Sequence, residues 1–232
     1  MNSSYGYQSS AVVYDPVEAR ARFISRTYNH LFGAILAFAA IEFALFTSGL
    51  AYPIVSAMAG TSWLIVLGLF MVASWVASRA AHTAKSKAAQ YAALGGFVLA
   101  EAIIFLPLLA FAEEFAPGVI SSAGITTMLG FGGLTAIAFI TRKDFSFLRG
   151  LLLWGGIAAM VLIAAGILFG FSLGVFFSVA MLAFAGAAIL YDTSNVIHHF
   201  PEDRYVGAAL ELFASVALMF WYVIRIFLAS RD

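Results

Sequence analysis

The chain has 232 residues, of which 63% are hydrophobic and 10% charged, and its mean hydropathy is +0.98. A water-soluble domain carries about 25% charged residues to wet its surface, so most of this surface must meet something other than water. Formal net charge is zero and cysteine is absent, which excludes a basic footprint for nucleic acid, disulfide frameworks, thiol catalysis and Cys-ligated metal.

Residues 1–26 are first polar (Asn2, Ser3, Ser4, Gln8) and then charged (Asp15, Glu18, Arg20, Arg22, Arg26). A cleavable signal peptide has its positive charge before a short apolar core. The order here is the reverse, which predicts a polar cytoplasmic tail over 1–26 and an uncleaved membrane domain over 27–230. A span needs about 20 mostly apolar residues to cross about 30 Å of hydrocarbon. Seven segments qualify, near 29–50, 60–79, 88–112, 117–141, 147–169, 172–192 and 206–228. Continuous apolar runs such as Leu151 to Phe171 exclude barrel strands, which alternate apolar with polar over about ten residues. The predicted fold is an all-α integral membrane protein of seven transmembrane helices, with the lipid bilayer as its first partner.

Lys and Arg gather on one side, at Arg20, Arg22, Arg26, Arg79, Lys85, Lys87, Arg142, Lys143, Arg149 and Arg204. Connections near 51–60, 113–117 and 170–172 have none. The positive-inside rule then places the N-terminus in the cytoplasm. Seven spans put the C-terminus outside, where Arg225 and Arg231 are out of keeping; a re-entrant last segment would relieve that conflict. Small residues at Gly130, Gly132, Gly133, Ala183, Gly186, Ala187, and at Gly166, Gly170 and Gly174, suit close helix contacts.

Ionisable side chains inside hydrocarbon cost roughly 2.5–3.5 kcal/mol each on insertion scales and are functional candidates by default. Glu42 and Glu101 fall near the middle of the first and third spans, Asp192 at the end of the sixth, and Glu211 in the first turns of the seventh. Asp192 and Glu211 flank one connection, so they share a face of the membrane with Arg79 at the end of the second span. An arginine near two acids keeps them ionised, whereas two close acids share a proton; such a cluster can act as a proton-sensitive latch or can simply cap helix ends. Along the seventh span Glu211, Ser215, Tyr222 and Arg225 share one face of a 3.6-residue helix, either lining a wet path or bonding between helices. Glu42 and Glu101 are either buried and neutral or stepping sites on an ion path.

Enzyme signatures are weak. Gly170-Phe171-Ser172-Leu173-Gly174 spells a G-x-S-x-G elbow but joins two membrane helices rather than strand and helix. His30, His82, His198 and His199 all lie toward the opposite face, and no Walker, dinucleotide or H-E-x-x-H pattern occurs. No enzyme activity and no cofactor are expected, and the pattern names no metal site.

Three stretches resemble the Bax-inhibitor family of membrane proteins. The strongest is Ile189-Leu190-Tyr191-Asp192-Thr193-Ser194-Asn195-Val196-Ile197-His198-His199, followed by Tyr205-Val206 and Ala208-Ala209-Leu210. The second is Thr141-Arg142-Lys143-Asp144-Phe145-Ser146-Phe147-Leu148, preceded by Gly132-Gly133-Leu134-Thr135, and the third is Arg26-Thr27-Tyr28. The resemblance implies a seventh helix at the centre of the other six and a pH-sensitive Ca2+ leak, while zero cysteines and a short tail point to a bacterial inner membrane. It also implies two aspartates sharing a proton near the cytoplasmic end, engaged by an arginine of the second helix. Asp192 resembles the first aspartate and Arg79 the arginine. The second aspartate is missing: the family's Leu-Tyr-Leu-Asp falls on Leu212-Phe213-Ala214-Ser215. Ser215 does not ionise, and Glu211, one turn away, is the candidate substitute. The leading expectation is a passive conduit for Ca2+ or protons gated near Asp192. The rival is a non-conducting regulator that binds another membrane protein, such as a protease or stress-response partner.

Overall fold

A computed structural model describes residues 16–231. Among them the chain is helical throughout, without strands: α1 Pro16–Thr47, α2 Ala51–Ala59, α3 Trp63–Thr83, α4 Lys87–Phe115, α5 Val119–Thr141, α6 Leu148–Phe169, α7 Gly174–His198 and α8 Tyr205–Ala229. All but α2 are long and apolar enough to cross a membrane. Apolar length explains the spans, and local chemistry explains their ends. The Ser86 hydroxyl accepts the Ala89 N–H at 3.2 Å to cap α4, satisfying one of the orphan donors of a helix start. Gly170, at φ +72°, closes α6 in the left-handed conformation that glycine adopts without strain. The 170–174 segment is thus a turn between two helices.

The structure departs from the sequence-based expectation at three places. Helix α1 begins at Pro16, inside the stretch read as a tail; residues 1–15 lie outside the described residues. The connection at 51–60 contains the short helix α2, whose 9 residues are too few to span. Helix α8 runs unbroken over 25 residues, and Arg231 beyond it donates to the Pro117 carbonyl at 3.2 Å, in the connection after α4. The last segment is a full span, not a re-entrant one, and its end lies opposite the start of α1.

Helices α4 and α8 form the interior. Helix α8 packs directly against α1, α3, α4, α5 and α7, and a cavity separates it from α6. Its inward face interlocks with aromatic side chains: Phe105 stacks on Phe220 at 5.7 Å, while Phe38 meets Phe105 edge-on at 5.1 Å. Such pairs add about 0.5–1.5 kcal/mol each beyond area burial. Small residues permit the approach of α5 and α7. A Cβ at Gly130 would sit 3.3 Å from the Met219 sulfur, and one at Gly186 would touch Leu134. Outward faces carry large apolar residues such as Ile140, Phe169 and Phe176, each at least 80% exposed, as a lipid-facing surface requires.

The end that holds the basic connections is tied by polar contacts. Arg20 donates to the Phe200 carbonyl at 2.7 Å and Arg204 to the Ala84 carbonyl at 2.8 Å. Lys87 donates to the Asp203 carbonyl. Tyr91 bridges His30 and Tyr205.

Candidate functional site

The three stretches that carry the family resemblance converge here. Asp192 lies within α7, buried at 7% exposure, and its Oδ2 accepts the Ser215 hydroxyl of α8 at 2.5 Å. Tyr28 of α1, Thr135 of α5 and Thr193 of α7 gather beside it, their buried hydroxyls turned toward one another. One turn toward the basic end, Glu211 stands close enough to Asp192 for their charges to interact.

The structure separates Arg79 from this acidic pair. Its side chain is exposed, with the guanidinium over the Trp75 ring at 5.7 Å. The α3 residue that meets an acid is His82, three positions on. Its Nε2 lies 2.6 Å from Oε1 of Glu211, off the line of a hydrogen bond but at ion-pair distance when the ring is protonated. The ring stacks on Phe200, centroids 5.6 Å apart and planes at 15°. It also presses on Gly207, where a Cβ would fall 2.8 Å from Cε1 of His82. Gly207 therefore clears the seat that lets α3 meet Glu211. Sequence reasoning missed His82, Phe200 and Gly207; the available signal was a histidine and a glycine, each close to a chosen residue.

A second contact fixes the connection between α5 and α6. The Phe145 N–H donates to the Ser194 hydroxyl at 2.9 Å, and His199 lies 3.0 Å from Oδ2 of Asp144. The Ser146 backbone N–H donates to Oδ1 of Asp144 at 2.9 Å. That bond, assisted by His199, holds the Asp144 carboxyl below the usual aspartate range.

Beside α8 runs a cavity of about 750 Å³ that reaches Glu211, Ser215, Glu101, Tyr222 and Arg225. The predicted stripe thus faces a single space, and Leu218, which interrupts the stripe, lines the same wall. Glu101 is buried at 7% exposure. Glu42 does not join them. It lines a separate cavity of about 680 Å³ between α1, α4, α5 and α8, together with Thr127, Phe213 and Phe220. Both Glu42 carboxylate oxygens and the Thr127 hydroxyl are buried without a partner among the described residues. No group of three or more His, Asp or Glu side chains is arranged to hold a metal ion among the described residues.

Comparison with known proteins now decides the family. The family model described as "Inhibitor of apoptosis-promoting Bax1" matches residues 20–232. The chain belongs to this family. It is 36% identical to an uncharacterized protein of Pseudomonas aeruginosa over 110 residues, 47% of this chain and 49% of that protein. It is 34% identical to the modulator of FtsH protease YccA of Escherichia coli over 116 residues, 49% of this chain and 52% of that one. The matched region spans about half the length of these bacterial relatives. Bax inhibitor 1 of rice aligns over 238 residues, 100% of this chain and 92% of that protein, at 27% identity. This Bax-inhibitor chain is accordingly an integral membrane protein.

Proposed function

We propose that the protein is a passive, non-enzymatic cation conduit in a bacterial inner membrane, passing Ca2+ or protons along α8. The supporting observation is the single cavity lined by Glu211, Ser215, Glu101 and Tyr222 together. Carboxylates there compensate part of the hydration a cation loses. The basic end is cytoplasmic by the positive-inside rule, and its gate is the Asp192–Ser215 bond with the His82–Glu211 contact beside it. A hydrogen bond to an ionised acceptor is about twice as strong as a neutral one. Loss of the Asp192 charge therefore loosens α7 from α8, and flux rises as Asp192 is protonated. The test is Ca2+ flux from loaded liposomes across a pH series. Wild type should respond to pH and Asp192→Asn should lose that response; flux identical in both at every pH would sink the reading.

A regulatory role is the second reading, favoured by the name of its Escherichia coli relative, a modulator of the FtsH protease. On this reading the chain binds a membrane-protein partner, with the polar residues that precede α1 as the natural contact. Normal function in Asp192→Asn, together with one partner recovered by crosslinking, would support it over conduction.

A further inference from the structure

The cavity beside α8 is lined by several aromatic side chains as well as by acids. Its volume of about 750 Å³ falls in the range of small-molecule sites, roughly 300–1,000 Å³. Glu101 projects from α4 into it, is 7% exposed, and has no hydrogen-bond or ion-pair partner among the described residues. An unpaired carboxyl in hydrocarbon is costly, and a cationic ligand would relieve that cost. Phe105 lies one turn further along the same helix face and meets Trp221 edge-on, centroids 5.0 Å apart. Phe70 and Trp63 line the same wall. Aromatic faces attract organic cations and give an apolar body its contact area.

The charge pattern sets the class of ligand. Glu101 and Glu211 outnumber the one cationic residue of the lining, Arg225. A resident Ca2+ would call for 6–8 oxygen ligands, whereas Glu101 offers a single carboxylate flanked by rings. One carboxylate among aromatics suits a monovalent cation whose charge is carried on an apolar body.

We infer that this cavity binds an apolar organic monocation, with the charge at Glu101 and the body against Phe105, Trp221 and Phe70. The inference rests on the same cavity as the conduit reading but does not require conduction. Tetraphenylphosphonium is a suitable probe, titrated into the full chain in lipid nanodiscs and followed by equilibrium dialysis and tryptophan fluorescence. Two of the four tryptophans, Trp63 and Trp221, line the site.

Saturable binding above that of empty nanodiscs is expected, with quenching. Glu101→Gln should weaken it about tenfold or more, the scale of losing one charged partner. Glu42→Gln, in the other cavity, should leave it unchanged. Ala188→Phe fills the space while keeping Glu101 and should abolish binding, so the inference does not depend on one variant folding. Neutral triphenylphosphine oxide should not compete. Binding no greater than in empty nanodiscs, equal affinity in Glu101→Gln, or equal competition by the neutral compound would overturn the inference. Lost binding with intact Ca2+ flux would remove this site and leave the conduit. Retained binding without flux would do the reverse.

Discussion

Two cavities flank α8, and each contains a buried glutamate, yet they differ in almost everything else. The one holding Glu101 continues through Ser215 to Glu211 at the basic end and through Tyr222 to Arg225 at the other. The one holding Glu42 has Phe38, Phe43, Phe46, Phe213 and Phe220 in its lining, with the exposed Glu113 at its edge. Phe38, Phe105 and Phe220 pack into a partition between them. An acid inside a membrane protein is thus not by itself a step on a path. What distinguishes Glu101 is that its cavity reaches Glu211 at one end and Arg225 at the other, whereas both Glu42 oxygens are enclosed without a partner among the described residues.

The sharpest way to break this contrast is to neutralise each acid. Glu101→Gln should lower cation flux in liposomes about tenfold, as one lost charged interaction of about 1.5–3 kcal/mol implies. Glu42→Gln should change it less than about twofold on the same scale. Equal effects would erase the difference between the cavities. Next in size is Gly207→Ala, which drives a Cβ into the His82 ring. Overpacking of this kind costs about 1–3 kcal/mol, so the detergent-solubilised protein should unfold at a lower temperature. An unchanged midpoint would show that His82 has room to move.

Ser215→Ala removes the bond to Asp192 while keeping the acid. It should cost about 1 kcal/mol and raise flux at neutral pH, read by unfolding and by liposome assay. The smallest effect belongs to the basic-end connection. The Asp144 carboxyl is held below its usual range, so its contribution is full above the unfolded-state value and disappears as pH falls through the lowered one. The protection factor of the Ser146 amide, which donates to Asp144, should therefore hold through mildly acid pH and fall below the ordinary aspartate range. In Asp144→Asn that acid step should vanish.

The spans were legible because apolar length is a local property. Each of α3 to α8 was located within a few residues at most ends, although α7 continues six residues past Asp192 to His198. Helix α2 was hidden because its 9 apolar residues read as the tail of the first span and a loop. The start of α1 was hidden because charged residues such as Glu18 and Arg20 look like a tail until a helix end is seen to project beyond the hydrocarbon. At the site, parity along the chain placed Asp192 and Glu211 at one end, and the face of α8 was readable from its 3.6-residue period. Partner choice was not readable. Arg79 and His82 are three positions apart, and only the packing of α3 on α8 turns His82 to Glu211 while Arg79 faces outward. The division of Glu101 from Glu42 depends likewise on which side of α8 each neighbouring helix occupies.

Absence of cysteine makes the conduit path directly testable with single introduced thiols. Ala214 lines the Glu101 cavity and Val216, two residues along α8, lines the Glu42 cavity. Cation flux should be measured in liposomes bearing Ala214→Cys or Val216→Cys, before and after a charged thiol reagent. The path along α8 predicts that modification brings flux through the Ala214→Cys protein down to that of empty liposomes and leaves the Val216→Cys protein unaffected. Block at Val216→Cys with none at Ala214→Cys, or full modification of Ala214→Cys with no change in flux, would contradict it.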